Sequence, residues 1–106
     1  MASKDIEIIQ GDTFTMGFRV VGKQGPVDFT APDVRLFGSV TDASGRRIVG
    51  KFEIIPVDLE QGQFRIFLDS QVTAALRGKH IWAVRYERGI NVTTIAGGNF
   101  TVKVGA

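Results

Sequence analysis

Apolar and polar residues alternate at every second position in several short stretches of this chain. The clearest stretches lie at residues 13–21, 34–41, 63–68 and 79–88. A period of two is that of half-buried β-strands, in which successive side chains point to opposite faces. In the first stretch the residues predicted to pack inward are Phe14, Met16, Phe18 and Val20.

Turn sequences separate the predicted strands. The sequence "DASG" at 42–45 predicts a type I turn that closes a hairpin onto residues 47–55. Gly50 within the second arm of that hairpin predicts a β-bulge. Further turns are predicted at 22–26 and 88–91, so the pattern indicates seven or eight short strands.

One segment has a helical period instead. "DSQVTAALRG" at 69–78 offers Asp69 or Ser70 as an N-cap and Gly78 as a C-terminal stop. Its apolar face would consist of Val72, Ala75 and Leu76. The segment therefore predicts one or two turns of helix between two strands.

The order of elements indicates the fold class. Regular short strands with glycine-rich turns, and no alternation of strands with long helices, favour an all-β fold. We predict one domain, residues 1–106, that forms an immunoglobulin-like antiparallel β-sandwich of seven or eight strands with one short helix. A small barrel is the alternative, and the sandwich is favoured. No cysteine pair marks an antibody-type domain, so the prediction concerns architecture only.

Composition narrows the function classes. The 13 Lys and Arg residues are dispersed among 11 Asp and Glu, with a net charge of +2, so we predict no nucleic-acid partner. No apolar run approaches the roughly 20 residues of a membrane span, so no membrane partner is predicted. The first ten residues are polar and charged without a signal-like apolar segment, and we expect synthesis in a cytoplasm.

The raw material for catalysis is sparse. His80 is the single histidine, cysteine is absent, and no serine lies in a Gly-x-Ser-x-Gly sequence. The carboxylates near the N-terminus lack the spacing of a calcium loop. We therefore predict a protein that is not an enzyme, with no cofactor and no metal site, and interpret His80 as a strand-end or interface residue.

The stretch "QGDT" at 10–13 admits two interpretations. A Gly-Asp-Thr turn could hold a ligand, or it could be the entry into the strand that follows. The apolar alternation behind it and the absence of convergent ligand groups favour a strand entry.

Some apolar residues lie on the side of their strands that should face solvent. Phe37, Phe67 and Ile81 have this phase, and apolar outer patches on small domains often mark contact surfaces. The N-terminal strand could in addition extend the sheet of a neighbouring subunit. The candidate interface residues are Lys4, Asp5, Ile6, Glu7, Ile8, Ile9, Phe37, Phe67, Ile81 and Arg85.

The order of motifs resembles a known family. "IEIIQGDTFTMGFRV", "GPVDFT", "DASGR", "GQFRIFLDSQVTAALRGKHIWAVRYE" and "IAGGNFTV" follow one another between residues 6 and 104. In that order they are similar to a small immunoglobulin-like domain of tailed-bacteriophage virions, such as the N-terminal domain of upper baseplate proteins. The most specific piece is the short helix followed by the aromatic strand.

The resemblance implies a virion structural protein that is made in the host cytoplasm. It favours a position in the tail over one on the head. It implies a tail, baseplate or fibre adaptor or scaffold that assembles in multiple copies. Its partners would be other virion proteins and further copies of itself, and no catalytic residues are implied. The baseplate versions continue into a long C-terminal portion, whereas this chain ends at Ala106, so we expect the domain to stand alone.

Alternative functions remain open at this stage. A capsid-surface decoration protein would fit the same resemblance. A carbohydrate-binding or receptor-binding module would need an exposed aromatic ring, and Trp82 and Tyr86 are the residues to inspect. A small hydrolase would need a second polar side chain within hydrogen-bonding reach of His80.

Overall fold

A computed structural model describes residues 2–105 as two sheets packed face to face, with a small ribbon beside them. Eight strands have four or more residues, in agreement with the predicted all-β sandwich. The strands are β1 (Ala2–Ser3), β2 (Ile6–Ile9), β3 (Phe14–Arg19), β4 (Val21–Gly22), β5 (Gly25–Pro26), β6 (Val34–Asp42), β7 (Ile48–Lys51), β8 (Glu53–Asp58), β9 (Gln63–Leu68), β10 (Gly78–Arg88) and β11 (Asn91–Lys103).

Strand order defines an immunoglobulin-like topology. The six-stranded sheet runs β11-β10-β6-β7, with β1 and β2 both paired to β11, and the three-stranded sheet runs β3-β9-β8. Immunoglobulin domains have this arrangement: two sheets pack face to face, and connections pass from one sheet to the other. Pairing is antiparallel except at the N-terminus, where β1 and β2 run parallel to β11. The predicted antiparallel sandwich is therefore confirmed, with one parallel edge.

The core fills the space between the two sheets. Phe64, Ile66 and Leu68 of β9 are each at most 1% exposed, as their alternation predicted. Trp82 and Val84 of β10 face them from the other sheet and are equally buried. Phenylalanine rings bridge the sheets in tilted and edge-to-face pairs, the geometry that aromatic quadrupoles favour.

The predicted hairpin and bulge are both present. Gly45 N–H donates to the Asp42 carbonyl oxygen at 2.9 Å, which closes the turn between β6 and β7. The register between these strands shifts where Val40 pairs with Gly50 and Thr41 pairs with Ile48. The extra residue is thus next to the glycine that predicted it.

The helix begins at a predicted N-cap but is shorter than the apolar pattern of the segment indicated. α1 (Ser70–Ala74) begins at Asp69, whose Oδ1 accepts a hydrogen bond from Val72 N–H at 2.9 Å. Leu76 is buried, whereas Ala75 is exposed and caps the helix, because the helical turn stops before the period is completed. A 3-10 helix at Leu59–Gln61 connects β8 to β9.

Candidate interaction surface

The predicted contact residues fall into three separate places. Phe37, Ile81 and Arg85 lie together on the outer face of the six-stranded sheet, Phe67 lies on the outer face of the other sheet, and residues 4–9 follow the free side of β11. The first group lines a concave surface.

Strand register explains why this group converges. Phe37 pairs directly with Arg85, and Thr41 pairs with Ile81 four positions along each strand. Between them, Ser39 of β6 and Ala83 of β10 form a row of small residues that continues into Gly97 of β11. Short side chains flanked by longer ones leave a depression in the sheet face.

This depression has a volume of about 300 Å³, and we call it the sheet hollow. Phe37 and Ile81 are half-buried in it, so they present apolar surface to solvent. The lining residues used below are Phe37, Ser39, Arg46, Ile81, Ala83 and Arg85.

The charge around the sheet hollow is mostly positive. Arg46 and Arg85 line it and are exposed, and the Arg85 Nε donates to Thr94 Oγ1 at 3.3 Å. The Arg35 guanidinium lies 5.1 Å from the centre of the Phe37 ring, in cation–π contact. Its Nη2 is also 3.7 Å from Glu87 Oε1, which offsets one negative charge beside the hollow.

The turn that carries Arg46 is held by a carboxylate. Asp42 Oδ1 accepts hydrogen bonds from the Ser44 hydroxyl at 2.7 Å and from Arg46 N–H at 3.1 Å. These bonds, first that of Ser44, hold the pKa of Asp42 below its ordinary value, since they favour the ionised form. The backbone of Arg46 is thereby anchored to the end of β6.

Phe67 does not belong to this surface. It is half-buried on the outer face of the three-stranded sheet, where it pairs with Thr15 of β3 and Glu53 of β8. Arg65, two residues earlier, reaches across the same face to Thr15, with Nε 3.3 Å from its Oγ1. The two phenylalanines with outward phase therefore lie on opposite sides of the molecule.

The N-terminal segment is built into its own sheet. Lys4 N–H donates to the Gly97 carbonyl oxygen, and its own carbonyl oxygen accepts from the Trp82 Nε1–H at 2.8 Å. Ile6 is only 6% exposed and belongs to the core, so little of its side chain is left for a predicted contact with a neighbour. Because β2 already pairs with β11, only its outer edge is left for a neighbour.

The remaining predicted contacts of this segment differ in exposure. Ile8 is half-buried against the core, and Ile9 is 42% exposed. Asp5 Oδ1 accepts from Asn99 N–H at 3.2 Å, and Glu7 Oε1 is 2.7 Å from Lys103 Nζ. Both carboxylates thus have partners within the chain.

The "QGDT" stretch serves as a strand entry with a structural partner. The Gln10 side-chain amide donates to the carbonyl oxygens of Ala74 and Leu76, each at 3.0 Å. In return, the fully buried Thr73 hydroxyl donates to the Asp12 carbonyl oxygen at 2.8 Å. Sequence reasoning missed this contact, since its partners are more than 60 residues apart.

The residues that would have indicated other functions are placed as follows. Trp82 is 1% exposed, and Tyr86 packs edge-to-face on Phe29, with ring centroids 5.5 Å apart. The His80 Nδ1 is 3.1 Å from the backbone carbonyl oxygen of Gly78.

Within residues 2–105, no three metal-ligating side chains gather into a potential ion site. In the same part of the chain, no helix has the length and apolar character needed to cross a membrane.

Comparisons with known proteins identify no family. No family model and no curated protein matches the sequence. Among solved structures, the crystal structure of Listeria monocytogenes InlP aligns over 96% of this chain with 18% sequence identity and a TM-score of 0.47. The chain corresponds to 26% of that protein's length. The resemblance to phage virion domains stays a prediction.

Proposed function

We propose that this chain is a structural subunit of a tailed-bacteriophage particle and not an enzyme. In this proposal it is an adaptor or scaffold domain of the tail, baseplate or fibre region, present in multiple copies. The observation that carries the proposal is the sheet hollow, because it combines half-buried apolar side chains with exposed arginines on a rigid sheet.

The motifs behind the resemblance support the proposal in a second way. "QGDT" and "DSQVT" supply the reciprocal hydrogen bonds of Gln10 and Thr73. "GGNFTV" supplies Gly97 and Gly98, which the backbone of Lys4 approaches closely. These contacts hold the framework of the sandwich together within the chain. They leave the outer sheet face available for partner-specific side chains.

A carbohydrate-binding module is the second candidate, and the geometry favours it less. Such a module would stack sugar rings on an exposed aromatic plane. Trp82 is inside the core with its indole N–H bonded to Lys4, and Phe37 is covered on one side by Arg35. The surface supplies arginines and apolar residues, a composition that suits a protein partner.

The decisive experiment uses particles of the phage that encodes the chain. Mass spectrometry of purified virions, followed by fractionation into heads and tails, is expected to find the chain in the tail fraction at several copies per particle. Recovery with heads would favour the capsid-decoration alternative. A chain found only in the host cytoplasm and absent from purified particles would contradict the proposal.

A further inference from the structure

We propose that copies of this chain associate head to tail, the sheet hollow of one copy receiving the β8 edge of the next. The inference rests on the proposed multi-copy assembly and specifies its contact. It follows from complementary charge, complementary apolar surface and the backbone geometry of β8.

The donor surface is the acidic edge, which we define as residues 53–60. This segment contains Glu53, Asp58 and Glu60 and no Lys or Arg. It comprises β8, which pairs only with β9, and the start of the 3-10 helix. It is therefore an outer edge of the sandwich with negative charge at both ends.

Apolar side chains project from the middle of the acidic edge. Ile55 is 38% exposed and Val57 is 60% exposed. The register of β8 against β9 shifts between Pro56 and Asp58, so Val57 is the extra residue of a bulge. A bulge leaves its extra residue outside the regular ladder and re-aims its side chain, so Val57 presents apolar surface to solvent.

Pro56 indicates how this edge is used. Proline has no N–H to donate, and prolines and bulges on edge strands prevent another strand from pairing there. The acidic edge is thus poorly suited to extend a sheet by backbone pairing. It is better suited to insert side chains into a concave surface.

The sheet hollow offers the matching features. Ala83 lies in its floor, Phe37 and Ile81 present apolar surface beside it, and it carries the exposed Arg46 and Arg85. Carboxylates flanking an apolar projection would meet arginines flanking an apolar floor. Arg65, the basic residue opposite Ile55 on β9, is directed toward Thr15 and away from the acidic edge.

The two surfaces belong to different sheets of the same chain, so the contact is heterologous. Each copy then offers one free hollow and one free edge, and the assembly grows into a closed ring or an open filament according to the rotation between copies.

The test uses the purified chain and two charge-reversed variants. The hollow variant carries Arg46→Glu and Arg85→Glu, and the edge variant carries Glu53→Lys and Glu60→Lys. All four side chains are exposed, so the variants should retain the circular dichroism spectrum and thermal unfolding of the wild type. Arg77→Glu and Asp33→Lys are the matched controls at other exposed positions.

Sedimentation velocity over a concentration series should show association of the wild type, weakened by added salt. Each variant alone should associate at least about tenfold more weakly, since opposed charges at the contact become like charges. A mixture of the two variants should recover association, because the intact edge of the hollow variant fits the intact hollow of the edge variant, and the two reversed surfaces again carry opposite charges. The control variants should associate like the wild type.

A wild type that stays monomeric up to about 1 mM would overturn the inference, since that is the weak limit of useful affinity. Equal association of both variants and wild type would do the same, as would a mixture that associates no more strongly than either variant alone. The two proposals fail separately: a chain present in virions yet monomeric removes the contact, and a chain that associates through these surfaces yet is absent from virions removes the virion role.

Discussion

The N-terminal edge of the six-stranded sheet and the sheet hollow on its outer face place apolar side chains at very different depths. At the edge, Ile6 is 6% exposed and lies in the core beside β11. In the hollow, Phe37 and Ile81 remain half-exposed over a row of small residues. An apolar side chain on a strand is therefore left available for contact only where the other face of the same strand fills the core.

The comparison also shows how one aromatic residue serves both regions. Trp82 fills the core from β10, and its indole N–H holds the Lys4 carbonyl oxygen. Its neighbours Ile81 and Ala83 point the other way and line the hollow. The anchoring of the N-terminus and the shape of the hollow thus depend on the same strand.

The largest effect is expected from Trp82→Ala. Truncating this side chain should lower the free energy of unfolding by about 3–5 kcal/mol, because it leaves a cavity in the core and an unpaired carbonyl at Lys4. Denaturant unfolding measures the change. Phe37→Ala is the matched control on the outward face, and it should cost less than about 1 kcal/mol. Similar losses in the two variants would contradict the assignment of inner and outer faces.

Ile6→Ala tests whether the N-terminal segment belongs to the core. The substitution should destabilise the domain by about 2–4 kcal/mol, as for other buried isoleucines. Ile9→Ala, three positions along the same strand and 42% exposed, should cost less than about 1 kcal/mol. If Ile6→Ala left stability unchanged but impaired assembly, Ile6 would be a contact residue after all.

Gly98→Ala tests the close approach of the Lys4 backbone to β11. A Cβ at this position would collide with the Lys4 carbonyl oxygen, so the backbone of Lys4 must move. We expect a loss of about 1–3 kcal/mol and faster hydrogen exchange of the amides in β1 and β2.

Gly89→Ala is the control for backbone strain without crowding. Its φ is +60° and no atom lies within 4 Å of the added Cβ. It should destabilise by about 1–2 kcal/mol, the cost of a left-handed alanine, and leave exchange in β1 and β2 unchanged. Equal hydrogen exchange of the β1 and β2 amides in both variants would show that the position of Lys4 beside β11 does not depend on Gly98.

The smallest effect concerns the turn beside the sheet hollow. Ser44→Ala should raise the pKa of Asp42 toward its ordinary value, because the hydroxyl donor is the first cause of its lowering. A carboxylate with a lowered folded-state pKa adds stability above its unfolded pKa, and this is lost as the pH falls through the folded pKa. The wild type should therefore gain its small advantage over the variant at pH above about 4.

NMR titration of the Asp42 carboxyl carbon measures this change. Ala43→Ser, in the same turn, is a control that keeps the Ser44 hydroxyl. An unchanged Asp42 pKa in Ser44→Ala would mean that the Ser44 hydrogen bond does not form in solution.

Much of the sandwich was predictable because its signals are local. The alternation around Phe64 and Ile66 sets which side chains enter the core, and Asp69 begins the helix by capping Val72. The helix length was less predictable, since Ala75 continues an apolar pattern that the backbone does not follow. The outward phase of Phe37 and Ile81 likewise indicated an apolar patch before its shape was known.

The candidate surface was predictable only in part. Strand phase alone could not separate Phe37 from Phe67, because phase identifies a face of a strand but not the sheet to which the strand belongs. The anchoring of Lys4 by Trp82 had one sequence signal, the Gly97-Gly98 pair, since adjacent glycines often mark a close approach of another chain segment.

By itself, the sequence determined the all-β class, the inward faces of the strands, the hairpin at Asp42 and a helix that begins at Asp69 or Ser70, because these depend on neighbours a few residues apart. The tertiary structure decided which strands share a sheet. It thereby placed Ile6 in the core, brought Phe37 to Arg85, and separated the sheet hollow from the acidic edge. The physical reason is that strand pairing and sheet packing join residues far apart in the chain, whose register no local pattern encodes.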